Sequence, residues 1–214
     1  MCCNENGSMP ILGEPAPDFE AVTTQGPVKL SDFKGKWLVM FSHPADFTPV
    51  CTTEFMAFAA IADELKSLNV QLMGLSIDSV PSHLAWIRSI KEKMGVDIGF
   101  PIIADLDMKV AKKFGMIHTG QSSTAAVRAV FFIDDKGILR AMIYYPLSSG
   151  RYMPEIIRLV KSLQATDKHG VSTPANWQPG DKVVIPAPKT KVEMDKRLSE
   201  GYECKEWYLC FKKI

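Results

Sequence analysis

The chain has 214 residues, 46% of them hydrophobic, with 25 Lys and Arg against 24 Asp and Glu. That length allows one sizeable core, or one domain with an appendage. The near-balanced charge gives no electrostatic footprint for nucleic acid or an anionic membrane, and apolar runs such as Trp37 to Phe41 are far too short to span a bilayer.

The first residues, Met1 to Asn6, lack the basic and apolar regions of a secretory signal, so the chain reads as cytoplasmic. The five cysteines are Cys2, Cys3, Cys51, Cys204 and Cys210. An odd number placed at the two ends and once in the middle is not the framework of a small secreted domain. It fits thiols of a reducing compartment, one or two of them used chemically.

Residues 1–9 read as a polar lead-in. Residues 10–30 are short apolar stretches broken by glycine and proline, which predicts small strands and turns. The run Trp37 to Phe41 predicts a buried central strand. Phe58, Ile61, Leu65 and Leu68 recur at helical spacing and predict a helix over 49–68. Val70 to Ile77 is the next strand. Ser79 to Met94 is a second helix, with Leu84, Ile87, Ile90 and Met94 facing inward.

A strand over 100–104 and a short helix over 107–114 follow. Ala129 to Ile133 and Ile138 to Tyr145 flank the turn Asp134-Asp135-Lys136-Gly137, a hairpin signal. Tyr152 to Ala165 is a final amphipathic helix. The order predicts an α/β fold, a mixed sheet flanked by helices, over residues 10–166. Residues 167–214 form a C-terminal extension. Its proline-rich part, 167–192, cannot bury much by itself and reads as an arm on another surface. A short helix over 192–198 and an aromatic, cysteine-bearing end follow.

The chemistry concentrates in Pro44-Ala45-Asp46-Phe47-Thr48-Pro49-Val50-Cys51-Thr52. Thr48 is a good N-cap and Pro49 suits the first helical position. Cys51 then stands in the first turn, where free N–H groups and the helix dipole favour a thiolate. The loop carrying it leaves the apolar strand at Ser42-His43, a usual place for a site in an α/β protein. Glu54 occupies the position where a Cys-x-x-Cys exchanger has its second thiol, which argues against that chemistry. A lone thiolate suits attack on acyl carbon, on disulfide or on peroxide oxygen.

The segment Phe41 to Glu54 resembles the active-site motif of the peroxiredoxins, whose Pro-x-x-x-Thr/Ser-x-x-Cys pattern is met by Pro44, Thr48 and Cys51. Ser82 to Trp86, Ala126 to Asp134, Tyr145 to Arg151, and Ser172 to Trp177 with Gly180-Asp181 extend the likeness from residue 10 to the end. They place it in the long-tailed subgroup of one-cysteine and archaeal-type enzymes. The resemblance implies a thioredoxin-like fold and thiol-dependent reduction of hydrogen peroxide and alkyl hydroperoxides, without metal, haem or flavin.

It implies Cys51 as the attacking thiolate, which becomes a sulfenic acid. Arg128 would hold the thiolate and the substrate oxygens, Thr48 and the Cys51 N–H would bind peroxide, and Pro44 would shield the sulfur. Glu54 and Arg151 would position Arg128, with His43 beside the cysteine. Cys210 is similar to the resolving cysteine of archaeal-type members, implying an intersubunit Cys51–Cys210 disulfide. Cys204 is a weaker resolver and a candidate local partner of Cys210, and Cys2 and Cys3 are free thiols on a loose end. The reductant would be thioredoxin, a glutaredoxin-like protein or a small thiol, and the assembly a homodimer or a ring of five dimers.

The serine of a Gly-Asp-Ser-Trp-Gly segment, credited in some long-tailed relatives with phospholipase activity, is absent from Lys34-Gly35-Lys36-Trp37. Trp86 reads as core packing, and His83, His118 and His169 carry no functional argument. The rival to an enzyme is a redox-switched holdase or peroxide sensor using the same cysteine.

Overall fold

The computed structural model describes residues 9–197 and 199–214; Cys2, Cys3 and all of the lead-in but Met9 lie outside them. The residues separate into two compact units, one ending at Met153 and one from Pro154 to Ile214.

The first unit opens with β1 (Glu20–Thr23) and β2 (Gly26–Lys29), an antiparallel pair. Then come β3 (Trp37–Ser42), α1 (Pro49–Ser67), β4 (Val70–Ser76), α2 (Val80–Met94), β5 (Ile102–Ala104), α3 (Lys109–Lys113), β6 (Arg128–Ile133) and β7 (Leu139–Tyr145). Seven strands form one sheet in the order β2-β1-β5-β4-β3-β6-β7. β3, β4 and β5 run parallel; β6 is antiparallel to β3, and β7 to β6. The result is the expected mixed sheet flanked by helices.

β3 and β6 are paired on both edges, and every residue of each is buried. That is why both read as continuous apolar runs rather than alternating ones. Leu38, Met40, Phe131 and Ile133 share one core cluster with Phe114 and Leu75. Phe41 belongs to a separate aromatic group, stacked on Phe58 with centroids 3.8 Å apart and edge-on to Phe55 and Phe100. The turn after β6 is built by Asp134, whose Oδ1 accepts from the N–H groups of Lys136 and Ile138, while Gly137 takes φ 85°.

α2 departs from the expected face. Ser79 caps it, accepting from the Ser82 N–H, and Gly95 ends it at φ 70°. The buried positions are His83, Trp86 and Ile90, with Ile87 half-buried, whereas Leu84 and Met94 are 45% and 50% exposed. Both sets have helical spacing. The polar His83 is turned inward because a buried carboxylate receives it.

The second unit holds all of α4 (Met153–His169) but its first residue, then β8 (Val183–Val184), α5 (Lys191–Arg197), β9 (Glu203–Glu206) and β10 (Leu209–Lys212). The last three strands pair antiparallel in the order β8-β10-β9. The arm carries more order of its own than its proline content predicts: Val171, Trp177 and Val183 make a small buried cluster against Ala165. Cys204 and Cys210 face each other across the β9–β10 pair and are joined by a disulfide. No helix among the described residues is long and apolar enough to cross a membrane.

Leu38 is fully buried in the middle of the sheet. Leu38→Ala is expected to cost about 3 kcal/mol by cavity formation, read as a lower midpoint in urea unfolding at unchanged m-value.

Candidate active site

α1 starts where the capping residues place it, with Thr48 extended at the N-cap position and Pro49 first in the helix. The Thr48 hydroxyl does not cap. It donates to the Ala45 carbonyl at 2.9 Å, which fixes its oxygen as an acceptor. The first intrahelical bond is Thr52 N–H to Thr48 O at 3.0 Å. The Val50 and Cys51 amides precede that bond and have no acceptor within the helix. They add partial positive charge where the Cys51 sulfur lies, fully buried.

β6 supplies the second cation. Arg128 is its first residue, and its side chain is 3% exposed. Nη1 donates to Cys51 Sγ at 3.4 Å and to Glu54 Oε2 at 2.6 Å. Nε and Nη2 both donate to the Leu147 carbonyl, at 3.0 and 2.8 Å. Ser42 ties β3 to this end of β6, donating to Val127 O and accepting from the Ala129 N–H.

Glu54 lies one helical turn after Cys51 and organises the cations. Arg151 grips it with a two-pronged fork, Nε to Oε1 at 2.8 Å and Nη2 to Oε2 at 2.7 Å, and adds its backbone N–H at 2.9 Å. Arg151 Nη1 donates to Ser42 O and Ala129 O, and its guanidinium lies against the Phe41 and Phe58 rings. Burial pushes the Glu54 carboxyl up. The Arg151 hydrogen bonds and charge, with the Arg128 charge, outweigh it and hold the group below its ordinary value. Burial pulls Arg151 down, against the opposing pull of Glu54.

Cys51, Glu54, Arg128 and Arg151 are thus brought together, and Thr48 stands at the mouth of the same helix. Pro44 lies half-buried in the loop before it. His43 is fully buried at the end of β3, and its Nε2 lies 2.9 Å from Asp46 Oδ1. Burial is the main cause that lowers its pKa, against Asp46. Asp46 also receives His83 from α2, with Nδ1 at 2.8 Å from Oδ2. Neither Asp46 nor His83 stands out in the sequence; the only trace is that His83 precedes Trp86 by three residues on one helical face. Cys210 is buried in its bond to Cys204, and Cys51 is the free cysteine among the described residues.

Glu54→Gln leaves two buried guanidiniums short of an anion and is expected to cost about 3 kcal/mol at pH 7. The wild-type Glu54 contribution is present above the ordinary carboxyl value of 4.5 and is lost as pH falls below it, because its folded-state value is depressed. Urea unfolding of both proteins at pH 7 and at pH about 4 should therefore show the gap narrowing in acid.

Residues 12–142 match the AhpC/TSA family, and residues 162–201 match the C-terminal domain of 1-Cys peroxiredoxin. A peroxiredoxin of Aquifex aeolicus is 62% identical over 97% of this chain and 98% of its own length. A peroxiredoxin of Methanocaldococcus jannaschii is 52% identical over 96% of this chain and 100% of its own. Among solved structures, yeast mitochondrial 1-Cys peroxiredoxin superposes with a TM-score of 0.86 at 42% identity, covering 96% of this chain and 100% of that one. A cysteine-to-serine mutant of peroxiredoxin 6 from Arenicola marina gives 0.86 at 38% identity, covering 95% and 98%. A lone buried thiol held by an arginine at a helix start, on this sheet and with these relatives, places the chain in the peroxiredoxin family of thiol peroxidases.

Proposed function

We propose that the chain reduces hydrogen peroxide and small alkyl hydroperoxides through Cys51. The observation that carries this reading is the Arg128 guanidinium at 3.4 Å from the Cys51 sulfur, in a buried cluster of two guanidiniums and one carboxylate. The cluster has one unmatched positive charge, and a thiolate supplies the missing negative one.

The Cys51 thiolate attacks the terminal peroxide oxygen. A sulfur–oxygen bond forms as the oxygen–oxygen bond breaks, and the leaving oxygen departs with its electron pair and takes up a proton as water or alcohol. Cys51 is left as a sulfenic acid. Thr48 Oγ1 has given its hydrogen to Ala45 and accepts the peroxide hydroxyl. Four of the five Arg128 donors are engaged, so one Nη2 hydrogen is left for the oxygen on which charge develops. Pro44 covers the sulfur from water, while Glu54 and Arg151 hold Arg128 at its angle.

The sulfenic acid then condenses with the Cys210 thiol of a neighbouring subunit, losing water and giving an intersubunit disulfide. Cys210 serves only after its bond to Cys204 is reduced, so the external thiol acts on the tail pair as well as on the product. Thioredoxin or a glutaredoxin-like protein fits this demand for a dithiol donor. The solved yeast mitochondrial relative is described as resolved through glutathione and thioredoxin systems. A homodimer, extending to a ring of five dimers, in the cytoplasm completes the reading.

Cys51→Ser should bring peroxide consumption with a thiol donor down to background in a coupled assay; consumption at the wild-type rate would remove Cys51 from the reaction. Arg128→Ala should slow the bimolecular reaction with peroxide by about a hundredfold or more, measured by stopped flow. After one equivalent of peroxide, a Cys210→Ser variant should show no covalent dimer on a non-reducing gel. A dimer that persists would take Cys210 out of the mechanism.

A further inference from the structure

The loop between β3 and α1 holds a second buried carboxylate that the thiolate chemistry does not use. Asp46 is 7% exposed, and its two oxygens receive three side chains. His43 Nε2 lies at 2.9 Å, His83 Nδ1 at 3.1 and 2.8 Å from the two oxygens, and Ser82 Oγ at 2.8 Å. Its backbone N–H donates to Asp78 Oδ2 at 2.9 Å, and that oxygen also takes the Ser76 hydroxyl. One residue of the loop is thereby tied to the end of β3, to the first turn of α2 and to the turn after β4.

The histidines are arranged to serve this carboxylate. Both ring nitrogens of His83 face oxygens, Asp46 on one side and the Ile103 carbonyl at 3.2 Å on the other, which fixes the plane of the ring. His43 donates through Nε2, and its buried Nδ1 has no partner among the described residues. That ring is therefore held by Asp46 and by the Phe55 and Trp86 rings. Trp86, from the same face of α2, also donates to Thr52 Oγ1 at 3.3 Å, in the first turn of α1.

What the ties oppose is visible in the next residue. Phe47 has φ 54°, in the left-handed region that a bulky side chain adopts only at a cost. It is 59% exposed, and its ring meets Trp86 at 6.4 Å between centroids, a single ring contact among the described residues. Its neighbours hold it: Asp46 through the ties above, and Thr48 through its hydroxyl on Ala45.

We propose that Asp46 is a positioning residue for the peroxidase reaction, the carboxylate latch by which His43, His83 and Ser82 hold the strained Phe47 turn and so keep Thr48 and the start of α1 in the peroxide-binding arrangement. The proposal rests on the reading of Cys51 as the peroxide-attacking sulfur. Removing the latch lets the turn relax. Thr48 and Cys51 then lose their alignment, and the buried sulfur becomes open to reagents that need access but no alignment.

The test is Asp46→Asn, which keeps the shape but cannot accept from all three donors. The variant should react with hydrogen peroxide about tenfold to a hundredfold more slowly. Alkylation of Cys51 by iodoacetamide, followed by peptide mass spectrometry, should become faster, with a melting temperature within a few degrees of wild type. His83→Leu, which removes one tie, should shift both rates in the same directions by less, and serves if Asp46→Asn does not fold.

Unchanged rates in both variants would overturn the latch. So would peroxide and iodoacetamide reactivity falling together, because Asp46 would then act on the sulfur rather than on the turn. The ligand atoms of His43, Asp46 and His83 lie within 4.8 Å of one another. Stoichiometric zinc in the purified wild-type protein, absent from Asp46→Asn, would likewise overturn it in favour of a metal. Failure of the Cys51 reading shows separately, as undiminished peroxide consumption by Cys51→Ser.

Discussion

Burying a charge is costly unless an opposite charge is buried with it, and this site buries two guanidiniums around one carboxylate. The arginines cannot relieve the imbalance by giving up protons within any ordinary pH range. Water cannot relieve it either, since Arg151, Glu54, Arg128 and Cys51 are all closed off from solvent. In the proposed reaction the balancing anion is the sulfur of Cys51, 3.4 Å from Arg128. On that reading the neighbours' charges select the nucleophile, and the helix start adds to a field already made.

The fold makes that imbalance affordable. β3 and β6 are central strands, and each delivers its piece at the same end of the sheet. β3 ends at Ser42 and His43 and releases the loop to α1; β6 begins at Arg128. Ser42 keeps the two strands together beyond their last paired residues, Phe41 and Val130. Arg151 closes the arrangement, taking the carbonyls of Ser42 and Ala129 with one nitrogen and Glu54 with the others. Its flat face against Phe41 and Phe58 lets the apolar layer accept a cation without a void.

What the sequence disclosed follows from the range of each interaction. The order Thr48-Pro49-Val50-Cys51 is local, and local rules place the start of α1 to the residue. β3 and β6 were legible because strands buried on both faces are apolar throughout, and the apolar residues after Arg128 marked it as buried. The His83–Asp46 pair spans 37 positions, and no local rule connects them. The same long-range pairing turned α2 by about one residue from its apolar pattern, exposing Leu84 and Met94 so that His83 and Trp86 could face in. In the tail, Cys204 and Cys210 are only six residues apart. Their joining depends on a β9–β10 pairing that the aromatic run Trp207-Tyr208 did not announce.

Two buried carboxylates therefore divide the work around one sulfur. In the proposed mechanism Glu54 collects cations and sets the charge, and Asp46 collects imidazoles and sets the shape. The division matters because the proposed reaction makes opposite demands on the same turn. Attack on peroxide as proposed needs Thr48, Cys51 and Arg128 held in register. Forming a disulfide needs a second sulfur to come within about 2.05 Å of the first, and Cys51 is fully buried. For the proposed Cys51 disulfide to form, the first turn of α1 must leave its place. A turn held against its own backbone preference at Phe47 is suited to that sequence, because the strain already favours departure and the Asp46 ties set how firmly it is resisted. A tighter latch would speed capture of peroxide and slow resolution, leaving the sulfenic acid longer before a second peroxide. A looser one would do the reverse.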